Sequence, residues 1–470
     1  MLEALWQQLG IAEVIAETAG RRKLDFPVER ALFAMVANRV CAGRSKLYCY
    51  EQWLAEEVRI AGSERLRLHH LYRAMDFLEA NRGAIEERLY YRLADLLNLD
   101  VDLVFYDTTS LHFEIDEADT AAQTGSQAAG GKVYPPLRKR GKAKNGRDDA
   151  PQLVIGLAVT RDGFPVRHWV FPGNTVDVTT VKQIKADLKG WQLNRCLFVG
   201  DAGMVSAANL KTLSRGGGRY ILCMPIHRGG EIAEAVLTRP GRYQAVAENL
   251  QVKEVWVGEG ERRRRYVVCH NPQEEARQRQ HRNQVLTELE AELETLRHTD
   301  GQQHSKRICQ LRASGRYGPY IRLTKTGKAA IDKAAIRAKE RLDGKFVVHS
   351  NDDTLSAEDM ALGYKQLQRV EEAWRTLKSG IRLRPVYHWT PHRICAHVSL
   401  SVLALLLERV AEHHCQDTWR NIRDDLKQIK LAQLLSPHGT VWQVTEPPKD
   451  AANRLKSLKI KKPSPILHAG

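Results

Sequence analysis

Two short apolar, β-rich runs that each lead into an aspartate constrain this chain more than any other feature. VDLVFYD (101–107) delivers Asp107, and CLFVGDAGM (196–204) delivers Asp201 between Gly200 and Gly203. Between them QLVIGLAVT (152–160) and PVRHWVFPGN (165–174) read as paired strands about a turn at Arg161-Asp162-Gly163, and Val178 to Leu188 reads as a helix. YILCMP (220–225) follows as one more strand. This succession predicts a mixed α/β sheet with both acids at strand ends, where backbone edges open into a site.

A third acid comes from YKQLQRVEEAWRTLK (364–378), which reads as one helix. At 3.6 residues per turn, Leu367, Val370, Trp374 and Leu377 share a buried stripe. Tyr364, Glu371, Arg375 and Lys378 gather beside it, while Glu372 is expected to face solvent. Taken alone, such a helix needs nothing beyond an i, i+4 pair of Glu371 with Arg375, worth about 0.3 kcal/mol. Its meaning depends on the two aspartates upstream.

The rest of the chain divides by pattern. Residues 1–100 show three-to-four-residue apolar spacing throughout and read as a helical N-terminal region, with Pro27 at a helix start. Residues 101–225 carry the strands described above. Within them Lys132 to Arg147 holds seven Lys/Arg and no acid, a flexible basic loop suited to phosphates through Lys139, Arg140, Lys142 and Lys144. Residues 226–350 combine alternating strands with a polar helix over 273–313, whose Leu286, Leu289, Leu293 and Leu296 form a short seam for intramolecular packing. Residues 351–415 hold the glutamate helix and an almost wholly apolar helix, Ile394 to Glu412, that must be buried. The segment 416–470 is basic, contains prolines and is expected to be loosely held.

The 470 residues allow two to four domains. The net charge of +16 calls for an anionic partner, nucleic acid before membrane surface. Residues 1–100 contribute −1 of that total, so the attraction resides in the later part of the chain and scaffolding suits the first region. Eight scattered cysteines without a CxxC exclude a zinc ribbon and a disulfide scaffold, and suit a reducing cytoplasm. The start lacks the basic n-region of a signal peptide, and the longest apolar run is too short to span a bilayer, so no membrane role is expected.

Asp107, Asp201 and Glu371 gathered together would repel one another unless a cation bound them. Hard dications take oxygen ligands, and two of them can clamp an in-line displacement at phosphorus. A carboxylate-pair glycosidase is a distant alternative that the charge and the basic loop do not support.

VFYDTTSLHFE, LFVGDAGM and YKQLQRVEEAWRTLKS together resemble the three acid-bearing motifs of bacterial insertion-sequence transposases of the DDE class. The signature most similar is Tyr-x2-Arg-x3-Glu-x6-Lys. VFPGNTVD and IRLRPVYHWTPHRICAHVSLSVLALLLER resemble the segments that family has between its aspartates and after its glutamate. The resemblance covers most of residues 100–470. It implies an RNase H-like catalytic core with an insertion before the last catalytic helix, and 170 residues separate Asp201 from Glu371. It also implies that Asp107, Asp201 and Glu371 are catalytic and bind two Mg²⁺ ions, replaceable by Mn²⁺. Tyr364 and Lys378 match phosphate-holding positions, with Arg375 on the same face. Leu367 stands where the signature has arginine, with Arg369 nearby. The implied activity is cleavage at element ends and strand transfer into target DNA by a homodimer on DNA, in the cytoplasm and on the nucleoid. A related endonuclease without strand transfer and an inactive, DNA-binding relic remain alternatives.

Overall fold

A computed structural model describes the chain apart from residues 21–23, 97–101, 126–129, 145, 194–195, 227–230, 261–262, 298–300, 326, 437–438 and 469–470. The expected boundary at 100/101 lies outside the described residues. Two compact units are present, one of residues 1–198 and 366–470, the other of residues 199–365.

The first unit opens with helices, as the apolar spacing predicts: α1 (Leu2–Gln8), α2 (Ile11–Ala19), α3 (Val28–Cys41), α4 (Lys46–Tyr48) running into a π-helical turn (Cys49–Glu57), and α5 (Leu68–Leu96). Strands follow: β1 (Leu103–His112), the short β2 (Gln123–Thr124) and β3 (Val133–Tyr134), β4 (Gln152–Val159) and β5 (Pro165–Pro172). Then come α6 (Asp177–Gly190) and β6 (Leu197–Gly200). The order is β5-β4-β1 with antiparallel pairing, β1 against β4 from Phe105↔Val159 to His112↔Gln152. The Leu197 N–H at the start of β6 donates to the Asp102 carbonyl at 2.7 Å, so this short strand begins beside β1. Three antiparallel strands, a helix and a return beside the first strand are the opening of an RNase H-like core.

Side-chain alternation along β1 fixes this arrangement. Tyr106 is buried, and its hydroxyl donates to Thr180 Oγ1 of α6 at 3.1 Å. On β4, two residues along from its register partner Ala158, lies Gly156, where a Cβ would lie 2.6 Å from the Tyr106 hydroxyl. The glycine thus lets the phenol cross the sheet and tie α6 to it.

The second unit holds α7 (Ala207–Ser214), β7 (Arg219–Met224), α8 (Glu231–Leu237), β8 (Gln244–Ala247), β9 (Leu250–Val257), β10 (Arg264–His270), α9 (Pro272–Leu296) and α10 (Gly301–Ala313). It continues through β11 (Ile321–Leu323), β12 (Ala329–Ile331), α11 (Lys333–Glu340), β13 (Lys345–Ser350) and α12 (Ala357–Lys365). Its main strands run β7-β13-β10-β9-β8, antiparallel throughout. The single polar helix expected over 273–313 is two helices. Leu289 and Leu296 of α9 pack on Ile308 and Leu311 of α10, so the leucine seam closes on the chain itself.

The chain re-enters the first unit with α13 (Gln368–Arg375), a π-helical turn (Thr376–Gly380) and α14 (Pro391–Cys415). It ends in α15 (Trp419–Leu426), β14 (Leu431–Ser436), β15 (Gly439–Val444), α16 (Lys449–Ser457) and β16 (Ile466–His468). By length and composition α14 could cross a membrane, yet 94% of its apolar window is buried in the protein. It packs on α3, α5 and β5 as the core helix its all-round apolarity requires. The tail is held down, contrary to expectation. Ala451 and Leu455 of α16 are buried, and Arg454 bonds Asp425 at 2.9 Å and Asp417.

Candidate active site

Asp107 is the fifth residue of β1 and not its last, because Thr108, Thr109 and Ser110 continue the strand as buried polar residues paired with β4. The acid closes the apolar run but not the strand, because β-branched threonines sustain the pleat. The carboxylate is half-buried, and its Oδ1 lies 3.5 Å from Lys144 Nζ. That ammonium also reaches Asp177 Oδ2 at 3.1 Å, the Thr108 carbonyl at 2.7 Å and Thr108 Oγ1 at 2.7 Å. Thr108 Oγ1 in turn donates to Asp177, the first residue of α6. Two carboxylates, a carbonyl and a hydroxyl therefore surround one cation.

Lys144 was expected in a free basic loop, ready for phosphate. Its chain is instead laid along the sheet. Lys139 exchanges backbone hydrogen bonds with Gln152 at 3.0 and 2.9 Å, and Gly173 N–H donates to the Leu137 carbonyl at 3.0 Å. The backbones cross so closely that a Cβ at Gly173 would collide with the carbonyls of Gln152 and Lys139. Arg138 is buried against Asp119, with Nε to Oδ1 at 2.8 Å. Arg140 bonds the Asp116 carbonyl at 2.8 Å, and Arg140 and Lys142 are exposed.

Glu371 lies in the same unit, exposed on α13, which packs across β1 and β4 through Val370, Ala373 and Trp374. Leu367 and Leu377 are buried too, so the expected stripe is present. The expected single helix is not. It stops at Lys365 and restarts at Gln368, with the turn closed by Arg369 N–H to Gln366 O at 2.9 Å and Val370 N–H to Leu367 O at 3.1 Å. Beyond Arg375 it widens to π geometry, where the Ser379 hydroxyl takes the Arg375 carbonyl at 2.6 Å and competes with the helical N–H for it. Tyr364 and Glu371 therefore sit on separate helices. Glu372, expected in solvent, is half-buried and accepts from Gln368 at 3.1 Å and Arg369 at 3.3 Å. Arg375 is exposed, and among the described residues no ion pair joins it to Glu371.

Lys378 lies half-buried in the π-helical turn and borders a cavity of about 560 Å³ with His112, Arg138 and Arg384. Burial and the nearby charges of Arg384 and Lys144 lower its pKa, and Asp107 acts against them. In the second unit Asp201 is exposed just past β6, the strand-end position predicted for it. Tyr364 of α12 donates to Asp201 Oδ1 at 3.1 Å and stacks obliquely on Phe346. Burial, with Cys223 and Asp201 close by, raises the Tyr364 pKa and keeps the phenol a donor.

Among the described residues no three His, Cys, Asp or Glu side chains are grouped to hold a metal ion. The chemistry of the donors nonetheless suits a hard dication. Asp107, Asp177 and the Thr108 carbonyl offer oxygen alone, already arranged about a positive charge. Asp177 and Thr108 are the residues sequence reasoning missed. The signal was available in PGNTVD, which places an acid at the first turn of a helix behind two close-packing residues.

The transposase DDE domain model matches residues 121–407. No curated protein matches the chain. A piggyBac transposase, solved by cryo-EM as a synaptic complex with hairpin DNA, is similar at 10% identity and a TM-score of 0.37, covering 87% of this chain and 75% of that one. The family match spans more than half of the sequence, and the chain belongs to the transposase DDE domain family, whose members cleave DNA and transfer the cut strand.

Proposed function

We propose that this transposase cuts the ends of its own mobile element and joins each freed 3′-hydroxyl to target DNA, using Asp107, Asp201 and Glu371 as its catalytic carboxylates. In this reading they hold two Mg²⁺ ions, for which Mn²⁺ can substitute. Bound metal supplies an activated water or 3′-hydroxyl and neutralises charge at the attacked phosphorus. The protein's own groups do the rest. Lys378 and Arg375 hold phosphates near the scissile bond, with Arg140, Lys139 and Lys142 extending the contact along the strand. Tyr364 orients the Asp201 carboxylate through its hydroxyl. Residues 101–225 and 351–415 supply the core, residues 226–350 the insertion, residues 1–100 a helical scaffold and 416–470 a basic C-terminal segment. The working species is a homodimer on DNA, cytoplasmic and associated with the nucleoid.

The observation that carries the assignment is the oxygen cage about a cation at Asp107, on the strand that the glutamate helix crosses. Asp107→Ala, Asp201→Ala and Glu371→Ala should each abolish metal-dependent cleavage of element-end duplex and leave duplex binding within about threefold of wild type. Full cleavage by any one of them would remove that residue from the catalytic set. A joining assay with pre-cut ends separates strand transfer from hydrolysis alone.

A further inference from the structure

A second cluster in the first unit plays no part in the reaction above. Arg39 of α3, Lys46 of α4 and His397 of α14 are 3%, 5% and 1% exposed. Arg39 donates to the Arg382 carbonyl at 2.8 Å, and its other terminal nitrogen lies 3.4 Å from His397 Nδ1. Lys46 Nζ lies 3.3 Å from the same Nδ1. His397 Nε2 donates to the Leu383 carbonyl at 3.0 Å, so Nδ1 carries the single lone pair for which both cations compete. These three side chains border a cavity of about 800 Å³ that Arg44, Arg382 and Arg384 also line. Among the described residues, no acid lines the cavity. Arg393 at its edge is answered by Asp76 at 2.9 Å, and no carboxylate answers Arg39 or Lys46 among the described residues.

Burying cations without a counter-charge costs several kcal/mol each. The cost is visible in the neighbouring groups. Burial and the charges of Lys46, Arg393 and Arg39 press His388 down to about 3, and burial lowers Lys46 itself. A fold that keeps such a cluster next to an open cavity is built to receive the missing charge from outside. The rim adds aromatic surface: Tyr387 is 63% and Trp389 65% exposed, and one face of Trp389 is covered by the Arg138 guanidinium at 5.1 Å. Cations beneath and open rings above match a phosphate with a base attached.

We propose that the cavity bounded by Arg39, Lys46 and His397 is a phosphate site that takes a backbone phosphodiester of a DNA strand, with the adjoining base against Tyr387 and Trp389. This rests on the transposase reading, and it names a contact outside the carboxylate site.

The test is thermal melting of the full chain in a phosphate-free buffer, with inorganic phosphate or a single-stranded dT octamer as probe at matched ionic strength. The octamer should raise the wild-type Tm by about 3 °C, and phosphate should raise it less. Lys46→Met should melt at or above wild type without a probe, because a buried cation has been removed, and should respond to neither probe. Trp389→Ala should keep the phosphate response and lose about tenfold in octamer affinity. Arg44→Met, at the exposed rim, should lose about threefold and folds irrespective of what Lys46 does. A Lys46→Met protein that melts well below wild type, or that responds to the octamer as wild type does, overturns the proposal by making Lys46 a structural residue. A response to inorganic phosphate without one to the octamer overturns DNA as the source. Element-end duplex binding is measured alongside. Its absence in wild type sinks the transposase reading, whereas normal duplex binding with unchanged octamer affinity in all three variants sinks this inference alone.

Discussion

Lys144→Met is expected to act in opposite directions on stability and on metal affinity. The ammonium makes ion pairs at 3.5 and 3.1 Å and hydrogen bonds at 2.7 Å to the Thr108 carbonyl and hydroxyl. Its side chain is 43% exposed, against 21% for Asp107 and 22% for Asp177, so solvent screens both pairs. Two such pairs are worth about 0.2–1 kcal/mol each, and the bonds to Thr108 bring the loss to about 1–2 kcal/mol. For a unit of this size that lowers the metal-free melting point by about 2 °C. The same 1–2 kcal/mol is what a dication must displace to reach Asp107. Removing Lys144 should therefore tighten Mn²⁺ binding about 5- to 30-fold in the absence of DNA, read by isothermal titration or by loss of the free Mn²⁺ electron paramagnetic resonance signal. A variant that binds Mn²⁺ no better than wild type would refute the reasoning, because Lys144 and the metal would then not compete for the same oxygens.

Three further outcomes follow from the packing. Gly173→Ala should cost more than about 3 kcal/mol in denaturant unfolding, since its Cβ meets two carbonyls that cannot yield without unseating the Lys139–Gln152 crossing. Tyr364→Phe should unfold within about 1 kcal/mol of wild type yet lower cleavage kcat with KM unchanged, as expected of a residue that positions Asp201; a wild-type kcat would assign Tyr364 to packing alone. Glu408 is buried beside Glu412, and its carboxyl is raised to about 8. A folded pKa above the unfolded value contributes stability at low pH that is lost as pH rises from about 4.5 through about 8. Glu408→Gln should accordingly stabilise the protein by roughly 2–3 kcal/mol at pH 7.5 and by much less at pH 5, and equal effects at the two pH values would contradict the assignment.

Much of this architecture was readable from periodicity because burial alone decides it. The helices of residues 1–96, the pair Gln152–Val159 with Pro165–Pro172, and the buried helix Pro391–Cys415 all follow from which positions are apolar. The breaks were harder to read. Nothing in YKQLQRVEEAWRTLK announces that the helix stops after Lys365, since no Gly or Pro marks it, and the π geometry at Thr376–Gly380 depends on a side-chain hydroxyl bonding back to Arg375. The Leu367 side chain is buried, so that position serves the core here. The candidate site was half legible. Strand patterning points to Asp107 and Asp201, but charge composition alone suggested that Lys144 is held ready for phosphate. Its capture by Asp107 and Asp177 depends on a backbone crossing through Gly173 that a count of charges does not reveal.

Fe²⁺-directed cleavage of the polypeptide in the DNA-bound chain tests most directly whether the three acids share metal. Fe²⁺ loaded in place of Mg²⁺ reduces added hydrogen peroxide to hydroxyl radical, is recycled by ascorbate, and so cuts backbone within about ten ångströms of itself. The account predicts fragments ending near residues 107, 201 and 371, all suppressed by excess Mg²⁺ and all lost together in Asp107→Ala. Cuts near 107 and 371 without one near 201, or cuts that Mg²⁺ leaves unchanged, would contradict it.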